Sequence, residues 1–378
     1  MTPRREPLVS IVTPVYNGER YLRECIEGVL AQTYSNWRYS IVNNCSTDRT
    51  LDIAHEYAAR DSRIRVVTNE RFVGVIENYN NALRQTSADS AYCKVVAADD
   101  FLFPECLERM LETFEANTRI GIVGAYQLCG TKVAWQGLPY TQSIVSGRDA
   151  CRMELMGGPY LFGSPTTIMF RADMVRTRDG FFNEANLHAD TEACFEFLEH
   201  SDFGFVHQIL TFGRVQQDSL TSYSKRYNTY TPSLLYLLLR YGPKYLTAAE
   251  RSRRIDEVLQ QYYRYLARQV YRRREAEFWR FHRTKLAELG HPLRPRRLAR
   301  AVVGVAADLL LNPKHTAEFM LSSARLRRSS RARGNATVGC ALPSGDVQAV
   351  ALRGRSVRQG ELEHEALRQR ALGSGERR

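Results

Sequence analysis

Through the first hundred positions, short apolar runs alternate with stretches of helical periodicity. Residues 9–13 form an apolar run broken by Pro14, Asn17 and Gly18, which reads as a buried strand. Leu22, Ile26, Val29 and Leu30 then recur at helical spacing and predict a helix over 20–32. Residues 36–42 predict a second strand, 50–60 a helix, 64–68 a third strand and 76–85 another helix. Ser46 or Thr47 is the expected cap of the second helix, with Asp48 in its electropositive first turn. Residues 93–98 are too short and too β-branched for a helix and predict a fourth strand. The order β-α-β-α-β-α-β implies an α/β fold with a mostly parallel central sheet covered by helices.

The fourth strand ends on two adjacent carboxylates, Asp99 and Asp100, with Pro104 four residues beyond. Side chains at that end of a parallel strand point into the crevice where open α/β sheets bind ligands. A hard divalent cation takes oxygen ligands and is commonly shared with substrate phosphates. The pair therefore suggests a site for Mg²⁺ or Mn²⁺ and a diphosphate, the plainer alternative being a solvated turn.

Four segments carry a resemblance: 9–34 (VSIVTPVYNGERYLRECIEGVLAQTY), 42–50 (VNNCSTDRT), 74–83 (GVIENYNNAL) and 97–104 (AADDFLFP). In order and spacing they resemble family 2 glycosyltransferases, which have the GT-A fold and use nucleotide-sugar donors. The likeness weakens toward residue 222 and does not cover the remainder. It implies an inverting transfer of one sugar from a nucleotide diphosphate to a hydroxyl acceptor. It also implies donor contacts at Thr13, Pro14, Tyr16, Asn17, Glu19, Asn44, Arg71, Gly74, Asn80, Ala98 and Asp99, and metal contacts at Asp99 and Asp100. Tyr16 is expected to stack or pack on the base. Arg71 is a candidate to face the diphosphate or a solvated surface charge.

Such a transfer needs a base for the acceptor proton and neutralisation of the departing diphosphate. The family keeps an E-D-x-D/E-L element after a G-F/Y-F-x-E lead-in; here Gly180, Phe181, Phe182, Asn183 and Glu184 precede Ala189, Asp190, Thr191 and Glu192. By that match Asp190 is the catalytic base and Glu192 a supporting carboxylate. Asp190 as a helix cap alone, or a base at Glu192 or His188, stay open. Residues 147–175 hold the Gly- and Pro-marked loop where the family places sugar and acceptor contacts.

Several positions depart from the family pattern. Its paired Asp after the second strand is Asn43-Asn44 here, which puts the nucleotide preference in doubt, with a uridine diphosphate sugar favoured. The first Asp of its D-x-D is Ala97, and Gln216 stands where a histidine is common. The signature of processive polymerases is absent, which argues for single additions. A nucleotidyltransferase, or a catalytically idle nucleotide-sugar binder, are the alternative readings.

Charge then separates the two halves of the chain. The net charge is +12, and beyond residue 250 arginine dominates. Residues 230–247 and 253–289 are helical in pattern, and 296–311 predict a short helix with a basic start. The expected organisation is a catalytic domain over 1–225, an arginine-rich helical region over 226–328 and a disordered tail over 329–378. The basic helices either pack on the core or touch an anionic membrane surface peripherally. No nucleic-acid recognition motif accompanies the charge. Eight scattered cysteines, no N-terminal signal and no apolar stretch of about 20 residues lead to a cytoplasmic expectation, possible membrane contact being at the inner face. The acceptor expected from the resemblance is a lipid-linked or envelope glycan, in polysaccharide assembly.

Overall fold

The structure, a computed structural model, describes residues 6–134, 136–178, 180–214 and 220–312. These fall into two compact units that divide after Arg226.

The first unit is built on a ten-stranded sheet. Its strands are β1 Val9–Val15, β2 Trp37–Asn43, β3 Ile64–Thr68, β4 Tyr92–Val95, β5 Phe101–Leu102, β6 Ile120–Cys129, β7 Lys132–Ala134, β8 Ile144–Ser146, β9 Ile168–Arg171 and β10 Asp202–Gly213. The order is β3-β2-β1-β4-β9-β6-β10-β5, with β7 beside β6 and β8 beside β10. Strands β3, β2, β1 and β4 are parallel, as the alternation of elements predicts. β9 inserts antiparallel between β4 and β6, and β6 and β10 are again parallel to each other. β1 is buried at all seven positions, as expected of a strand covered on both faces.

Helices α1 Leu22–Leu30, α2 Thr50–Ala58, α3 Val75–Leu83, α4 Cys106–Ala116, α5 Gly147–Leu155, α6 Ala172–Arg176 and α7 Ala189–Phe197 complete this unit, and α8 Leu220–Tyr227 ends at the division. Leu22, Cys25, Ile26 and Val29 of α1 pack into one core with Val9, Ile11, Tyr39, Leu107 and Met110. The predicted cap of α2 is not the observed one. Arg49 stands at the cap position without a side-chain bond, and Asp48 Oδ1 accepts from the Thr50 amide at 3.0 Å. Ser46 and Thr47 are drawn instead to the loop after β1.

The second unit is helical: α9 Tyr230–Arg240, α10 Gly242–Tyr245, α11 Ala248–Tyr271, α12 Ala276–Glu288 and α13 Pro295–Leu311. A full capping box at Thr247 and Glu250 starts α11. The single helical pattern read over 253–289 is two helices, parted where Arg273 turns to a φ of 48°. Tyr262, Leu266, Phe278, His282 and Leu286 are buried between them. The expected disordered tail, from 329 onward, lies outside the described residues.

Candidate functional site

The loops that follow β1 and β2 are laced together. Asn17 adopts a φ of 49°, a conformation asparagine tolerates. Its amide donates to Ser46 Oγ at 3.0 Å, and its Oδ1 accepts from the Thr47 amide at 2.9 Å. The Gly18 amide donates to Thr50 Oγ1 at 2.7 Å and the Glu19 amide to Asp48 Oδ2 at 3.1 Å. Glu19 Oε2 in turn accepts from the Arg49 amide at 3.0 Å. These bonds use every polar residue from 46 to 50 to fix the rim at the carboxyl ends of β1 and β2. Thr13 is fully buried in β1 and accepts from the Tyr39 hydroxyl at 2.8 Å. Pro14 pairs with Val42 across the two strands, and Ala98 is half-buried beside Asp99.

Asn44 sits under this rim. Its Oδ1 accepts from the Val73 amide at 3.0 Å and from Asn69 Nδ2 at 3.0 Å, while its Nδ2 donates to the Val73 carbonyl at 2.8 Å. An aspartate could accept these bonds but could not donate to Val73. The asparagine is therefore suited to clamping the loop before α3, with one amide hydrogen to spare. Gly74 caps α3 on an extended backbone, and Arg71, mostly exposed, pairs with Glu77 at 2.7 Å.

Above the rim stands an aromatic pair. Tyr16 is 49% exposed and Phe72 51%, with ring centroids 4.8 Å apart in an edge-to-face arrangement. Tyr16 was a sequence candidate; Phe72 was not. A large apolar residue in the polar run Asn69–Glu70–Arg71 was the available signal.

Asp99 is half-buried and Asp100 is 4% exposed. Thr166 Oγ1 donates to Asp100 Oδ2 at 2.6 Å, and the Arg214 amide donates to Oδ1 at 3.3 Å. Thr166 also accepts from the Ala97 amide at 3.1 Å, so it locks the turn that carries the carboxylates. Lys94 lies directly beneath, fully buried in β4. Its ammonium donates to the carbonyls of Thr166 at 2.6 Å and Ile168 at 3.2 Å. Burial pushes its pKa down, partly opposed by Cys106 and Asp100. The lysine inside the apolar run CKVV was visible in the sequence and passed over.

Asp190 is the second residue of α7 rather than its cap. His188 holds the cap position without a side-chain bond. Asp190 and Glu192 are both buried, in the first turn of the helix, where backbone amides favour negative charge. Asp190 Oδ1 accepts from the Thr191 amide at 2.8 Å. Glu192 Oε2 accepts from Asn183 Nδ2 at 3.0 Å and from Asn186 Nδ2 at 2.7 Å, fastening the lead-in loop to the helix. Asn80 of α3 reaches the same loop. It exchanges hydrogen bonds with the Phe182 backbone at 2.7 and 2.9 Å and donates to Glu184 at 3.1 Å.

One segment joins the two carboxylate sites. The Tyr160 hydroxyl donates to the Gly163 carbonyl and hydrogen-bonds Thr191 Oγ1, both at 3.0 Å. Gly163 turns at a φ of 65°, open to glycine, and a single 3₁₀ turn, Pro165–Thr167, follows. Phe162 packs edge-on against Phe195 of α7 at 5.7 Å. The stretch 160–167 thus touches the residue beside Asp190 at one end and Asp100 at the other. Gln216, the expected stand-in for a family histidine, lies outside the described residues. Among the described residues no group of three or more His, Cys, Asp or Glu is placed to hold a metal.

Known proteins resemble this chain in sequence and in fold. Residues 10–178 match the family described as glycosyl transferase family 2. The putative glycosyltransferase EpsE of Bacillus subtilis (strain 168) is 30% identical over 228 residues, covering 60% of this chain and 78% of EpsE. The putative teichuronic acid biosynthesis glycosyltransferase TuaG of the same organism is 38% identical over 107 residues, 28% of this chain and 42% of TuaG. Among solved structures, S. aureus TarS 1-349 in complex with UDP is similar at a TM-score of 0.55 and 17% identity, covering 89% of this chain and 94% of that one. The mannosyltransferase PcManGT of Pyrobaculum calidifontis, in complex with GDP-Man and Mn²⁺, is similar at 0.50 and 14% identity, covering 85% and 87%. At these identities the structures show the shared fold. The length and identity of the match to EpsE, with the family match over residues 10–178 that takes in Asp99 and Asp100, place this chain in glycosyltransferase family 2.

Proposed function

We propose that the chain transfers one sugar, with inversion, from a nucleotide-diphosphate donor to a hydroxyl of a growing envelope or extracellular glycan. The observation that carries this is the 160–167 segment, which fastens Asp100 and the start of α7 into one structure. The base and ribose would lie on the laced rim, against Tyr16 with Phe72 as its buttress. Asp190 would take the acceptor proton as the acceptor oxygen bonds to the anomeric carbon and the bond to the diphosphate breaks on the opposite face. Glu192, held by two asparagines, would orient the lead-in loop.

Asp99, half-buried, and Asp100, with both oxygens already accepting one bond each, offer an all-oxygen donor set. This fits a hard cation that completes its shell with diphosphate and water. Mg²⁺ or Mn²⁺ bound there would neutralise charge on the leaving diphosphate. The names of EpsE and TuaG, and the UDP and GDP-Man held by TarS and PcManGT, support the substrate class. A thermal-shift screen of nucleoside diphosphates with Mg²⁺, followed by hydrolysis of the matching sugar donor, tests the reading. A melting temperature raised by one nucleotide, with donor turnover lost in chelator, is expected; no response to any nucleotide would overturn it.

A further inference from the structure

Helix α13 has an unusual balance of composition and burial. Its seventeen residues are rich in valine, leucine and alanine, yet Val305 alone is buried. Val303 is 68% exposed, and Leu310 and Leu311 are each 84% exposed. With the exposed Ala299 and Ala307 they recur at helical spacing and form an apolar row along the outer face. Arg296 and Arg300, both exposed, stand at the margin of that row.

On its neighbouring side α13 forms a groove of about 1120 Å³ with α11. Arg264, Arg268, Arg297 and Arg300 line it, together with Asp256, Glu257 and Asp308. Among the described residues none of these four arginines forms an ion pair. Arg297 instead lies over the ring of Tyr263 at 4.8 Å.

We propose that α13 seats on an anionic phospholipid bilayer. Val303, Ala307, Leu310 and Leu311 enter the interface, and Arg296 and Arg300 meet the headgroup phosphates. No described helix is long and apolar enough to cross a membrane, so the contact is one of lying on the surface. Charge argues against two other occupants. Residues 313–378 carry more Lys and Arg than Asp and Glu, and a second copy brings a net charge of +12. Nucleic-acid recognition pairs positive charge on phosphate with stacked aromatic rings or single wedged side chains, not with an exposed aliphatic row along a helix.

The test is flotation of the full chain with vesicles of phosphatidylcholine alone and of phosphatidylcholine mixed with phosphatidylglycerol, at low and high salt. Binding is expected to the mixed vesicles only, and to weaken with salt. The pair Arg296→Gln and Arg300→Gln is expected to weaken it roughly tenfold or more. Leu310→Asp is expected to weaken it similarly while circular dichroism and donor hydrolysis stay unchanged, since Leu310 is 84% exposed. No binding to the mixed vesicles, or binding that Leu310→Asp leaves intact, overturns the proposal. So does a self-associated form that Leu310→Asp dissolves without any vesicle binding. Preferential binding to duplex DNA that survives Leu310→Asp, or a thermal shift with inorganic phosphate and no vesicle binding, would assign the arginines to another ligand and overturn it too.

Discussion

The two units bury polar groups to different ends. In the first, Asn43, Asn44, Asn80, Lys94, Asp100, Thr166, Asp190 and Glu192 are all buried; Asn43, Asn44, Asp100 and Thr166 sit at a strand end or in the connections between strands, and Asp190 and Glu192 open α7. In the described part of the second, Thr229, Ser233, Arg254, Gln269 and His282 are the buried polar residues, and the interior is otherwise aliphatic and aromatic. Burying a polar group costs stability unless its bonds are made. A unit that buries so many must hold them for a purpose that packing alone does not serve. In the first unit these groups fix loops, which on the proposed function surround the reacting centre; in the second the few buried polar groups lie among packed helices.

That contrast breaks first at Asp190. If its carboxylate serves chemistry, Asp190→Asn should lower transfer by about 10³-fold, within the range of general-base effects. Melting temperature and nucleotide affinity should stay near the parent values, since asparagine keeps the shape and one acceptor. An active, normally folded variant would place the base elsewhere, at Glu192 or His188.

Asn80 sharpens the contrast from the structural side. Asn80→Ala strips the Phe182 backbone of both its partners and frees Glu184. A loss of about 2–3 kcal/mol in denaturant unfolding is expected, with transfer falling alongside as the lead-in loop loosens. An unfolding midpoint equal to that of the parent would show that the clamp is dispensable.

The second unit has its own buried titratable group. Burial, and secondarily the charge of Arg274, hold the His282 imidazole down to about 3 from its ordinary 6.5. The unfolded chain therefore takes up this proton first as pH falls. Stability from His282 is complete above about 6.5 and declines as pH drops toward 3. Thermal melts of the parent and His282→Phe over that window check it, the variant showing the shallower decline. A smaller effect is expected at the nucleotide rim. Phe72→Ala removes the edge that steadies Tyr16 and should raise the donor KM by a few-fold, roughly 1 kcal/mol, with kcat little changed.

How much of this was legible in the sequence follows the same divide. Periodicity located β1 to β4 and α1 to α3 within a few residues, because a two-sided sheet demands apolar strands and amphipathic helices. It also located α13. Periodicity did not reveal β9 inserted antiparallel between β4 and β6, since strand order depends on long-range pairing that no local pattern records. Asp99, Asp100 and Asp190 were legible as motif residues. Their supports were not. Thr166 acts on Asp100 from 66 residues away, and Tyr160 holds Thr191, beside Asp190, from 31 residues away. Lys94 is only six residues before Asp100, but its acceptors are the carbonyls of Thr166 and Ile168, and a buried lysine in a strand looks like an error of pattern until they are seen. The break at Arg273 was missed because its flanks keep a helical pattern through the turn.

The central claim is a single displacement at the anomeric carbon, with Asp190 activating the incoming hydroxyl. Hydrolysis of the matched nucleotide-sugar donor tests it without knowledge of the natural acceptor, because water takes the acceptor's place. Proton NMR resolves the first sugar anomer released before mutarotation. The account predicts the anomer opposite to that of the donor, formed by the parent enzyme and lost in Asp190→Asn. First release of the same anomer as the donor would contradict it.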